Sequence, residues 1–383
     1  MLRILLFPLA VLLTLQSCSD QPAPRTFTDA DYTKFTDSIG FAIRRGDTAF
    51  IISHFNFEAQ QEKFVKAVRA SVMAEEQARG LYKQEIANLL NSLSKRKDRE
   101  FFRHLHTARK GDTATYYFRA YHDNKTEYLS VQTVPGPQYL LITDMMLFST
   151  GLTFSEVLAD FYRAIFVDNN KLLPGNDAMR INSSAIISQI GTIQQNLYDA
   201  NYAYVLTAIK ALPSEVQETV TIQQFEMNAC LFTGDTLRAE RLRKRTEGKS
   251  LVKNARSFML YQYYFHMGKT DEALKCCDEL DEIVKDPMID LYRAAVYWRI
   301  PQYNRAEEYL QRAIKLTGNE HRQTTYAMLL KVYIDQSKTA EALALAAEME
   351  EKASFSKNDL MFFFMNNREV ATDPRVDKYF DKK

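Results

Sequence analysis

The chain predicts two architectures in series: an α+β N-terminal domain, then an all-α superhelical stack of helix pairs. Three observations carry that expectation. Between residues 101 and 148, β-branched and aromatic residues alternate with period two, and turn-forming residues separate the runs. On either side of that stretch, apolar residues recur at the three- and four-residue spacing of an amphipathic helix. From residue 187 to residue 357, similar helix pairs return about every 34 residues, the mark of a stacked repeat.

Composition sets the outer bounds. Lys+Arg of 49 against Asp+Glu of 48 leaves a formal charge of +1, without the basic excess that nucleic-acid binding needs. Hydrophobic content of 46%, with only 12 Gly and 10 Pro, suits a folded chain with little disordered tract.

Arg3 precedes an apolar run over 4–15, too short for a hydrocarbon core that needs about 20 residues and suited to a leader. Leu15-Gln16-Ser17-Cys18 then resembles a bacterial lipobox, although Gln16 departs from the usual small or apolar residue. The resemblance implies a signal peptide over 1–17, cleavage before Cys18 and acylation of Cys18. Two or three acyl chains, at about 0.8 kcal/mol per buried CH₂, hold a protein on a membrane stably. Residues 18–26, with Pro22 and Pro24, make a short extended tether. Ser19 after Cys18 implies, by analogy with lipoprotein sorting, the outer membrane or a periplasm-facing membrane surface. The other three cysteines, Cys230, Cys276 and Cys277, fall in helical patterns and read as small buried apolar residues.

The α+β domain covers 27–166. Thr28 with Asp29 and Asp31 opens a helix, Phe35, Ile39 and Ile43 form its stripe, and Gly46-Asp47 ends it. Residues 56–94 read as a long helical stretch weakened at Gly80. The basic run 95–99 reads as a solvated helix end. Four strands follow at 101–108, 115–122, 128–134 and 139–148, joined by Lys110-Gly111-Asp112, Asp123-Asn124-Lys125 and Pro135-Gly136-Pro137. Such short connections make an antiparallel meander. A helix over 154–166 closes the domain. Long helices before a meander resemble the cone-shaped nuclear-transport-factor-like or cystatin-like folds, a likeness of topology alone. Asp144, in an apolar strand, and His104, His106 and His122 are the groups that a hidden catalytic or metal site would use. His104 and His106 lie two apart on one strand and are expected on one face; the reading favours solvated strand histidines and an edge position for Asp144.

Residues 167–181 form a linker by their Asn, Asp, Pro and Gly content, and helices fill 182–357. Val205, Ala239, Ala273, Ala306 and Ala342 begin the inner seam of successive second helices, at steps of 34, 34, 33 and 36. Residues 258–285 carry the fullest pattern, with Tyr264, Gly268, Ala273, Leu280 and then Pro287. Tyr297 and Tyr333 occupy the place of Tyr264 in later copies, and Asn196 and Cys230 in earlier ones. This array is similar to the tetratricopeptide repeat, which implies stacked helix pairs with a concave surface lined by first helices. On that face the resemblance places Gln224, Asn228, Gln262, His266, Trp298, Arg299, Lys331 and Asp335. The lone Trp298 beside Arg299 is the pair best suited to a binding hot spot. Residues 358–383 supply a C-terminal cap and tail, with the apolar run 360–365 closing the last pair.

No Gly-x-Ser-x-Gly, His-Glu-x-x-His, phosphate-binding Gly loop or Cys-x-x-Cys is present, so no reaction class, catalytic residue, metal or cofactor is expected. The expected function is a lipid-anchored, non-catalytic scaffold of the bacterial envelope that binds a protein or peptide, with no nucleic-acid partner. The alternative is a small-ligand receptor or enzyme with its pocket in the N-terminal cone.

Overall fold

A computed structural model describes residues 25–58, 60–61, 64, 75–94, 102–122, 125–169, 176–247, 253–316 and 321–381. The leader, Cys18 and the basic run 95–99 lie outside these residues.

Helix α1 (Asp29–Arg45) begins at a capping box in which the Thr28 side chain and Asp31 satisfy each other's backbone N–H groups. It ends at Gly46 in the left-handed conformation. Short α2 (Thr48–Ser53) follows, and α3 (Glu75–Ser94) runs unbroken through Gly80. Strands β1 (Arg103–Lys110), β2 (Thr113–His122), β3 (Lys125–Pro135) and β4 (Leu140–Leu147) pair antiparallel in sequence order. The meander expected from the period-two pattern is therefore present.

The sheet is covered on both faces. Tyr116, Phe118 and Ala120 of β2 join Ile39, Tyr82 and Ile86 in a core beneath the N-terminal helices. Their odd-numbered neighbours Tyr117, Arg119 and Tyr121 point the other way, toward the C-terminal helices. Tyr117, Tyr128, Met146 and Phe148 pack there against Ala255, Phe258 and Met259. Helices on one face were expected; a sheet that forms the middle layer is found. That is why β2 is rich in aromatics at both parities.

Helix α4 (Phe154–Asn169) joins two cores. Phe154, Leu158 and Tyr162 face the sheet, whereas Val157 and Phe161 face the helices that follow. The segment 167–181, expected as a linker, holds the end of α4 and the start of α5 (Asn176–Tyr198); residues 170–175 lie outside the described set. Next come α6 (Tyr202–Lys210), one-turn α7 (Ser214–Gln217), and hairpins α8–α9 (Val220–Thr233, Thr236–Glu247), α10–α11 (Lys253–His266, Thr270–Val284), α12–α13 (Ile289–Arg299, Tyr303–Leu316) and α14–α15 (Arg322–Asp335, Thr339–Lys352). Each hairpin packs on the next.

Val205, Ala239, Ala273, Ala306 and Ala342 are all fully buried, each in the second helix of its pair. The residues seven further on, Leu212, Thr246, Leu280, Ala313 and Met349, are buried too. Small residues at the crossing let the two helices approach, so this seam sets the spacing. Thr246, polar where its counterparts are mostly apolar, is satisfied by donating to the Arg243 carbonyl at 2.9 Å. Helices α16 (Lys357–Met365), α17 (Arg368–Ala371) and α18 (Pro374–Phe380) close the array. Leu360, Phe364, Val370 and Val376 bury there, while Phe362 remains 70% exposed.

Candidate functional site

The first helices α10, α12 and α14 end side by side, and their last residues border one open cleft of about 510 Å³. Phe265, His266, Trp298, Arg299, Pro301, Tyr303 and Asp335 line it. Its volume falls within the range of small-ligand and peptide side-chain pockets. Four of the residues expected from the sequence, His266, Trp298, Arg299 and Asp335, are thus brought together. Gln262 and Lys331, one helical turn earlier, do not line the cleft; Lys331 places its ammonium over the Phe363 ring of the cap, 5.7 Å from the centroid. Gln224, at 1% exposure, is buried rather than surface-facing, because the first helix α8 is covered nearly all round.

Each lining group is held by a neighbour from the adjoining hairpin. Trp298 Nε1 donates to Asp335 Oδ2 at 2.7 Å. The Arg299 guanidinium donates to the carbonyls of Phe265 and His266, the latter at 3.2 Å, and lies over the Phe265 ring. Those carbonyls lie at the C-terminal end of α10, where the Phe265 carbonyl also accepts from Gly268 N at 3.2 Å, so the arginine adds to the cap and meets the negative end of the helix dipole. His266 sets its ring edge-on to Phe232, centroids 4.5 Å apart, and Phe232 stacks in turn on Tyr202. Burial, reinforced by Arg299, pushes the His266 imidazole below its ordinary pKa, so it is neutral near pH 7. Asp335 is exposed and pairs with no cation among the described residues.

Phe232, Phe265, Pro301 and Tyr303 were missed at the sequence level. A signal existed: Phe232, His266, Arg299 and Asp335 each precede their seam residue (Ala239, Ala273, Ala306, Ala342) by seven positions. One repeat position therefore lines the whole edge.

The N-terminal candidates do not converge. A bulge in β1 opposes His104 to Phe118 and His106 to Tyr117, so the two histidines take opposite faces, against the expectation of one face. His104 Nε2 meets the Thr107 hydroxyl at 3.0 Å. His106 stacks on Tyr117 and donates from Nε2 to the Ile283 carbonyl at 2.7 Å, in the contact with the helix array. His122 ends β2. Asp144, expected at an edge or rim, lies in the outer strand β4, but its side chain is 3% exposed and serves the start of α4: it accepts from the Ser155 hydroxyl, and from the N–H groups of Met145 at 2.9 Å and Ser155 at 3.4 Å. Burial raises its carboxyl above the usual range against those hydrogen bonds. No group of three or more metal-ligating side chains occurs among the described residues.

Cys230, Cys276 and Cys277 are buried free thiols. Burial lifts Cys230 to about 11 and Cys276 to about 12, far from the thiolate form that reacts. Among the described residues, no helix is long and apolar enough to cross a membrane.

Comparison with family models, with curated proteins and with solved structures finds no match for the chain.

Proposed function

We propose that the helix array is a tetratricopeptide-like solenoid and that the chain is a non-catalytic scaffold that binds a protein or peptide. The observation that carries this reading is the cleft at the ends of α10, α12 and α14. It joins one Trp, one Tyr, one Phe, a Pro and two opposite charges in a single concavity. Tryptophan, tyrosine and arginine are the residue types enriched at binding hot spots. The seam of buried small residues and the 34-residue steps support the repeat assignment.

The setting we propose is the bacterial envelope, most simply the outer membrane or a periplasm-facing surface, with lipid on Cys18. The leader and Leu15-Gln16-Ser17-Cys18 support it. Mass spectrometry of the membrane-extracted chain tests that part: Cys18→Ser is expected to lose the acyl mass and leave the membrane. A variant that stays bound at unchanged mass rejects it.

For the scaffold itself, cross-linked membranes carrying wild type, Trp298→Ala or Arg299→Ala are to be compared by affinity purification. Partners recovered with wild type and lost with either variant are expected. An unchanged set removes the cleft from the function.

A further inference from the structure

Resting on the peptide-binding reading above, we infer that the cleft selects a cationic side chain, the lysine or arginine of an extended peptide, at Asp335.

Charge is left over at the cleft. Two of the charges at the cleft are of opposite sign, but they are not equally free. Arg299 is engaged: two carbonyls at the end of α10 accept its N–H groups and the Phe265 ring lies under it. Asp335 has one carboxylate oxygen on Trp298 Nε1 and no cationic partner among the described residues. Lys331, four residues before it on α14, is placed for an ion pair but turns its ammonium to Phe363 instead. With the end of α10 met by Arg299, the ends of α12 and α14 at this edge add the negative ends of their dipoles to the carboxylate. The walls beside Asp335 are Trp298 and Tyr303. Aromatic faces attract a cation through their quadrupole, and they pack the aliphatic stem that carries it. An acidic side chain would meet the Asp335 carboxylate and the negative ends of α12 and α14. An apolar one would displace water from the carboxylate and leave it only the Trp298 N–H, which costs more than the contact returns.

The experiment uses the mature chain and its lone Trp298 as an internal probe. Capped extended hexapeptides from a positional-scanning set are titrated at low salt, and emission from Trp298 is followed. Arg or Lys is expected to be required at one position, with norleucine or Glu there binding at least tenfold more weakly. Asp335→Asn keeps an acceptor for Trp298 and is expected to weaken the selected peptide about tenfold. Asp335→Lys is expected to move selection to Glu or Asp at that position. Peptides selected without a cation, but lost on Tyr303→Ala, would overturn this inference and keep the scaffold reading. A set in which no peptide shifts Trp298 emission at millimolar concentration overturns both.

Discussion

Asp144 shows at the residue scale why an acid in an apolar strand is ambiguous. Its carboxylate satisfies two backbone N–H groups and the Ser155 hydroxyl at the start of α4, a structural duty that consumes its acceptors. Asp144→Ala is expected to cost about 2–3 kcal/mol in urea unfolding, since it strands buried donors. A loss below about 0.5 kcal/mol would show that those donors find other partners. The residue type and its apolar surroundings were legible in the sequence; its partner was not, because Ser155 lies eleven positions away beyond a turn. His104 and His106 failed for a sharper reason. Alternation predicts one face only for an unbroken strand, and the extra residue of a bulge carries no local mark here.

Among the elements, the second helices of the hairpins were the most readable, since a small buried residue every 34 positions is both a pattern and a packing requirement. Gly268, between α10 and α11, has φ of +68° and nothing within 4 Å of where a Cβ would stand. Gly268→Ala is therefore expected to cost about 1–2 kcal/mol from the backbone alone, measured as a midpoint shift without change in slope. Glu240 of α9 ties two hairpins by accepting from Arg243 at 3.0 Å and from the Tyr263 hydroxyl of α10. Those hydrogen bonds pull its carboxyl down to about 2. A depressed carboxyl stabilises the fold fully above its unfolded value and progressively less as pH falls toward the folded one. Stability is thus expected to decline between about pH 4.5 and about pH 2, and Glu240→Gln should flatten that decline. An unchanged acid limb in the variant would assign the slope to other groups. At the far end, Leu360→Ala is expected to cost about 2–5 kcal/mol because the side chain is fully buried. Phe362→Ser, on the exposed side of the same helix, should leave the midpoint in place.

Over the whole molecule, the sheet and the helix array pack on one another through contacts between residues far apart in the chain. Arg119 of β2 meets Asp286, between α11 and α12, in an ion pair that solvent does not reach, and the Tyr128 hydroxyl donates to the same carboxylate at 3.0 Å. Tyr121 shares a hydrogen bond with Thr324 of α14, and Asp160 of α4 accepts from Val220 N at 2.8 Å at the start of α8. Removing one member of a buried pair leaves an uncompensated charge, so Arg119→Met is expected to cost about 3–5 kcal/mol. Arg119→Met with Asp286→Leu should recover part of that loss; equal or additive losses would show that the pair is not the source. The sequence could not announce these contacts. Period and turn chemistry report on neighbours along the chain, whereas Arg119 and Asp286 are 167 residues apart. The separation has a consequence in time. At about 5–20 residues per second, synthesis of α10–α14 ends on the order of ten seconds or more after β2 has emerged. For that interval the helices that cover the face of Tyr117, Arg119 and Tyr121 are not yet made, and a half-finished chain presents that face of the sheet to other chains. Pulse-labelled nascent chains halted before residue 253 are therefore expected to engage holding chaperones, and chains released after residue 335 are not.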